Sequence, residues 1–224
     1  MTAVFLIRHP RTTWNDEGRY QGRLDAPLSD QGKRQLQAVT ELFAGEDIAA
    51  VYTSPLGRAL SMGEALSEVT GAPLQKDERL AEIGLGEWQG LYRDQIRERF
   101  PDLLALWYSA PQRVEFPGGE SLADVRSRTE HWLAAVLAAY PGPQSVLAAT
   151  HSAVIRVLTA CALGLALEHI HRIQVDNCSI TTLAGSAPPG TLLTLNDTRT
   201  IFTSPITAAD GTNLVSLVER RATL

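Results

Sequence analysis

Cysteine is scarce in this chain, with only two residues, Cys161 and Cys178. No Cys-x-x-Cys pair occurs, and both sit in apolar or strand-like surroundings. A disulfide scaffold or a thiolate zinc site is therefore not indicated, and both read as reduced packing residues of a reducing compartment. Positive charge is also short: the formal net charge is −5 and the isoelectric point about 5.5. That excludes a general nucleic-acid or membrane-surface binder. The longest apolar run, Val157 to Leu167, falls far below the ~20 residues that span a bilayer. Arg8 comes too early for a secretory signal. A cytoplasmic protein is expected. Gly84-Leu85-Gly86 lacks the third glycine of a dinucleotide fingerprint. Walker, Gly-x-Ser-x-Gly and His-Glu-x-x-His patterns are missing too.

What the chain does have begins at Val4-Phe5-Leu6-Ile7, an apolar run of β-formers that reads as a buried strand. Arg8-His9 follows at once. A strand buried on both faces has no place for these side chains in its interior. They must emerge at its carboxyl end, where open α/β sheets bind ligands. A polar loop, 11–27, is long enough to be functional or disordered. Ser29 or Asp30 then caps a helix through Phe43. Ala49–Thr53 reads as a strand and Ser54-Pro55 as the first turn of a helix. Pro73–Gln75 is a short strand, Arg79–Gly90 is irregular, and Tyr92–Tyr108 is helical with a break at Pro101. Ser121 starts an amphipathic helix to Tyr140. Ser145–Thr150 is a strand that runs into a helix at His151. Ile170–Val175, Ser179–Leu183 and Leu192–Leu195 read as strands, the last two as a hairpin. Alternating strands and helices predict an α/β fold: three layers, α/β/α, with a mixed, mainly parallel sheet and helices on both faces. No linker divides the chain, so one domain over 1–224 is expected. A homodimer is left open.

Three more segments share the logic of Arg8-His9. Arg58 lies at a strand-to-helix junction, where helix amides gather partial positive charge. A cation there suits an anion site and little else. His151 opens another such junction. Glu82 offers a carboxylate on a glycine-punctuated loop, with Glu87 as its rival. Each alone has an ordinary structural explanation. Together, cations and imidazoles at strand ends plus one carboxylate make a phosphate-handling set. A metal site built from His9, His151, Glu82 and Asp25 is the chemical rival, but Arg8 and Arg58 would repel a dication. His131, His169 and His171 read as structural or exposed.

The segment from Leu6 to Asn15 resembles the Arg-His-Gly-Glu-Thr-x-x-Asn signature of the histidine phosphatase superfamily, the phosphoglycerate-mutase-like proteins. Gly18-Arg19-Tyr20-Gln21-Gly22 and Pro27–Gly32 continue the likeness. Ser54-Pro55-Leu56 with Arg58, Glu82 with Gly86, Trp88 and Gly90, and a His-Ser-x-x-Ile-Arg run at His151 complete it over nearly the whole chain. Pro10 and Arg11 depart from the usual glycine and glutamate, which makes the loop stiffer and more basic. Ser152 replaces a common glycine.

The resemblance implies a metal-independent phosphomonoesterase acting on a small phosphorylated metabolite through a phosphohistidine, with no cofactor. His9 would be the nucleophile. Arg8, Asn15, Arg58 and His151 would hold the phosphoryl oxygens, with Ser152 adding a hydrogen bond. Glu82 would serve as proton donor and then acceptor. Gln21 and Gly22 would edge the pocket near the leaving group. Cofactor-dependent mutases carry a Glu-Arg-x-Tyr-Gly run and a basic insert after the acid. Here Ile83 to Gly90 is short and free of cations, and Arg93, Arg97 and Arg99 read as a solvated helix face. The phosphatase branch is favoured over a mutase. The retained His9 and Glu82 speak against a non-catalytic phosphate-binding relative. The likeness extends to broad-specificity, phosphoserine and α-ribazole phosphatases without choosing among them. Leu85 suggests a neutral or partly apolar leaving group.

Overall fold

The structure, a computed structural model, describes residues 1–199. The C-terminal end of the domain expected over 1–224 lies outside them. Six strands form one sheet: β1 (Thr2–Arg8), β2 (Ala50–Thr53), β3 (Leu74–Lys76), β4 (Ser145–Thr150), β5 (Ile180–Gly185) and β6 (Thr191–Asp197). Their order is β3-β2-β4-β1-β5-β6. The first four run parallel, and β5 and β6 form an antiparallel hairpin at one edge. Among the described residues seven α-helices accompany them: α1 (Thr13–Glu17), α2 (Asp30–Phe43), α3 (Gly57–Thr70), α4 (Arg93–Arg99), α5 (Pro101–Ser109), α6 (Leu122–Ala139) and α7 (Ser152–Ala162).

Strand side chains alternate between faces, so a strand sandwiched by helices must be apolar at every position. β1 meets that demand. Val4 and Leu6 face Trp132, Leu133, Val154 and Leu158 of α6 and α7. Phe5 and Ile7 face Val39 and Phe43 of α2, and Met62 and Leu66 of α3. The three-layer α/β/α architecture read from the sequence is the one observed. Among the described residues no helix is long and apolar enough to cross a membrane.

Register decides what meets at the sheet's carboxyl edge. Arg8 pairs with Thr150 and Thr53 with Ala149. The next residues, His9, His151 and Ser54, therefore leave three adjacent strands side by side. The His9 amide donates to Thr150 O at 2.9 Å, which continues the ladder one residue past β1.

Three local readings need correction. The 11–27 loop contains α1, which buries none of its residues and so has no apolar period. It is held by its ends. Thr12 and Asn15 form a capping box, and Gly18 closes it at φ +71°. Pro55 lies outside α3, which starts at Gly57 because Asp25 accepts the Gly57 N–H at 2.7 Å. Ile170–Val175 is not a strand. A 3-10 helix covers Leu167–Arg172, and Ile170 and Ile173 are buried at the three-residue spacing of that helix.

The start of α2 fixes the loop behind His9. Ser29 caps α2 through the Gly32 N–H at 3.1 Å, and its own amide donates to Arg11 O at 3.0 Å. A Cβ on Gly32 would come within 1.9 Å of Arg11 O. Gly32→Ala is expected to cost about 1–3 kcal/mol through overpacking against backbone. An unchanged melting temperature would contradict that close approach.

Candidate active site

A cavity of about 540 Å³ opens over the carboxyl edge of the sheet, with His9 on its floor. His9 is buried, at 3% exposure. Its Nδ1–H donates to Pro10 O at 2.8 Å. A carbonyl can only accept, so the proton is fixed on Nδ1 and Nε2 keeps its lone pair. Burial holds the ring's pKa well below the ordinary histidine value, with Arg58 and Arg8 adding to the effect against the bond to Pro10. The imidazole is thus neutral at physiological pH and bare at Nε2, the form a nucleophile requires.

The Arg8 guanidinium donates to Val175 O at 2.7 Å, and its buried Nε has no partner. Burial pushes its pKa down to about 10 while Glu82 opposes the shift. Arg58 is anchored by Gly22 O at 2.7 Å, Leu24 O at 2.8 Å and Asp25 at 2.9 Å. Its Nε is likewise buried without a partner. Unpaired donors on buried cations are costly unless an anion meets them.

The His151 ring centroid lies 5.2 Å from that of His9. Its Nε2 is 2.7 Å from Ser54 Oγ, which also accepts the Leu56 N–H. The other ring nitrogen, Nδ1, is buried and has no partner. Burial, followed by Arg58, keeps this ring neutral too. Asn15 spends its oxygen on Thr12 N and Oγ1, both at 3.1 Å. Its NH2 group therefore remains as a donor at the cavity wall. Arg8, Arg58, His151 and Asn15 thus bring donors together around His9, a cradle for a phosphoryl group.

Glu82 borders the same cavity. Its Oε1 accepts from Ile83 N at 3.0 Å and Ala153 N at 3.2 Å, the latter in the first turn of α7. Its Oε2 accepts from Ser152 Oγ at 3.2 Å. Glu87 is exposed and does not line the cavity, which removes it as the rival acid.

The expected phosphate contact Ser152 and the expected pocket-edge residues Gln21 and Gly22 all line the cavity, and each has a partner within the protein. The Ser152 hydroxyl is engaged by Glu82. Gly22 acts through its carbonyl, which holds Arg58. Gln21 donates its amide to Thr12 Oγ1 at 2.8 Å and presents a buried oxygen without a partner, an acceptor that an oxyanion would not seek. His171 is not simply structural or exposed. It lines the cavity and donates Nε2–H to Trp107 O at 2.7 Å. Asn177 carries a role the sequence did not reveal: its amide donates to His9 O at 3.0 Å and to Asn15 at 3.4 Å. Asp25 is bound up with Arg58. Among the described residues no three His, Cys, Asp or Glu side chains group as metal ligands.

Comparison with known proteins gives the family. The family model described as histidine phosphatase superfamily (branch 1) matches residues 4–198. Phosphoserine phosphatase 1 of Hydrogenobacter thermophilus is 32% identical over 198 residues, covering 88% of this chain and 93% of its own. A Salmonella choleraesuis protein named "Probable phosphoglycerate mutase GpmB" is 30% identical over 183 residues, covering 82% and 85%. The structure of Bacillus stearothermophilus YhfR superposes with a TM-score of 0.83 at 31% identity, over 90% of this chain and all of that one. The chain belongs to branch 1 of the histidine phosphatase superfamily.

Proposed function

We propose that this protein is a metal-independent phosphomonoesterase that acts on a small phosphorylated metabolite through a phosphohistidine at His9. The observation that carries the reading is the tautomer of His9: Nδ1 bound to Pro10 O and Nε2 free within a ring of unpaired donors. In the first step Nε2 attacks phosphorus. The ester P–O bond breaks, its electron pair goes to the leaving oxygen, and Glu82 supplies a proton. In the second step Glu82 takes a proton from water, whose oxygen attacks phosphorus. The P–N bond breaks, its pair returns to Nε2, and inorganic phosphate leaves.

Arg8 and Arg58 neutralise the developing charge, the task a dication performs elsewhere. Asn15 and His151 complete the set. Ser152 follows the state of Glu82. It donates to the carboxylate and can turn to accept once the carboxyl is protonated. Gln21 and Gly22 keep the pocket edge in shape. The relative named as a phosphoserine phosphatase supports hydrolysis, and the one named as a mutase supports the second reading. The short, cation-free stretch after Glu82 favours hydrolysis. Two unpaired cysteines suit a cytoplasmic setting.

The test is product analysis in EDTA with phosphoserine, 3-phosphoglycerate, α-ribazole phosphate and an aryl phosphate. Free phosphate as the main product is expected. Fast interconversion of 3- and 2-phosphoglycerate, or activity restored only by Mg²⁺ or Zn²⁺, would overturn the reading.

A further inference from the structure

Four arginines border the cavity: Arg8, Arg19, Arg58 and Arg156. Three have evident work. Arg8 and Arg58 flank His9. Arg19 donates from Nε to Gly90 O at 3.0 Å and lies over the Trp14 ring, 4.3 Å from its centre. Arg156 is different. It is half-buried, and its Nε donates to Ile173 O at 2.9 Å. Its two terminal NH2 groups form no hydrogen bond or ion pair with any described residue. The nearby Asp176 carboxylate is engaged by Gln174 at 2.7 Å and by Asn196 at 2.8 Å. Burial lowers the Arg156 pKa, and Glu82 and Asp176 offset this in part. A guanidinium fixed at Nε, with both ends free at a cavity wall, is a fork for an oxyanion.

Its place on α7 says what that anion would belong to. Arg156 stands one helical turn beyond Ser152, so the two side chains share a face about 5–6 Å apart. Ser152 holds Glu82. In the proposed reaction the leaving oxygen faces Glu82, and the rest of the leaving group continues along α7 towards Arg156. Leu85, Trp107, Ile170 and His171 line the same cavity, and Glu82 and Asp176 are the carboxylates whose charge acts on Arg156. One cation already offset in part by two carboxylates balances a single carboxylate better than a second phosphate dianion.

We propose that Arg156 is a specificity-determining residue that binds a carboxylate on the leaving group, so that the substrates are small phosphorylated carboxylic acids. This rests on the phosphomonoesterase reading. It replaces the neutral leaving group suggested by Leu85, because the polar contact comes from Arg156 on α7 instead.

The test compares 3-phosphonooxypropanoate with propyl phosphate, which differ by a carboxylate in place of a methyl. The wild-type chain is expected to prefer the acid by about 10–100-fold in kcat/KM, the usual worth of a charge-assisted contact. Arg156→Gln should bring that ratio close to one through KM and leave propyl phosphate within about threefold. Arg156→Lys should keep part of the preference. A wild-type ratio near one would overturn the proposal without any variant. Equal losses on both esters in Arg156→Gln, with a displaced pH profile, would overturn it as well and assign Arg156 to Glu82. Failure of the wild type on both esters and on an aryl phosphate would count against the phosphomonoesterase reading itself.

Discussion

Replacing His9 by alanine is expected to lower kcat by about 10⁴-fold or more on every phosphomonoester, the scale seen when a covalent nucleophile is removed. Among the described residues no neighbour is placed to substitute. The His151 ring is 5.2 Å away, its Nε2 is engaged with Ser54 and its Nδ1 is buried. The loss should fall on kcat, because Arg8, Arg58 and Asn15 keep their positions and still bind the phosphoryl group. Steady-state kinetics with a circular dichroism check on folding measure it. A variant that retains a tenth of wild-type turnover would contradict the role of His9. The same geometry sets a pH expectation. The His9 pKa is held well below the usual 6.5, so the nucleophile stays neutral as pH falls through that value. The limb from its protonation should appear at lower pH. A loss of kcat/KM centred near 6.5 and assignable to His9 would contradict the buried, cation-flanked ring.

Glu82→Gln is expected to lower kcat by roughly 10²–10⁴-fold on alkyl phosphates, the contribution of a positioned proton donor. Glutamine keeps the shape: its oxygen can still accept from Ile83 and Ala153, and its NH2 can donate to a Ser152 hydroxyl that turns to accept, so the fold should survive. It has no proton to deliver to an alkoxide. Aryl phosphates leave as weaker bases and need less protonation, so their first step should lose far less. Their second step still needs a base for water. Aryl phosphates should therefore show a burst of released phenol followed by slow turnover. Equal losses on alkyl and aryl substrates with no burst would place the proton donor elsewhere. Glu87→Gln, at an exposed position, should be close to silent.

The centre of this site was legible because few residues had to be placed. An apolar run that ends in Arg-His states where the strand stops and which side chains leave the core. Arg58 and His151 were legible for the same reason, each at a strand-to-helix junction. What stayed hidden depended on contacts between distant segments. Asn177 reaches His9 O only because β5 runs antiparallel beside β1. Ser152 reads as a phosphate contact and Gly22 as a pocket-edge residue because they stand in the right segments, yet Ser152 also bonds Glu82 and the Gly22 carbonyl holds Arg58. His171 looked idle because its task depends on α5 folding over the sheet edge to bring Trp107 within 2.7 Å. The false strand at Ile170–Val175 has a similar origin. Periodicity reports burial, and burial under α7 and α5 needs no sheet partner. α1 escaped notice because it is fixed by its caps and buries nothing.

The most direct test of the central claim is to trap the covalent intermediate. The enzyme is mixed with a ³²P-labelled phosphomonoester, quenched in base within milliseconds, digested and mapped. Acid-labile, base-stable label on the peptide containing His9, absent from His9→Ala and accumulating in Glu82→Gln, is the expected result. Label on another residue, or turnover with no label at any quench time, would contradict the phosphohistidine mechanism.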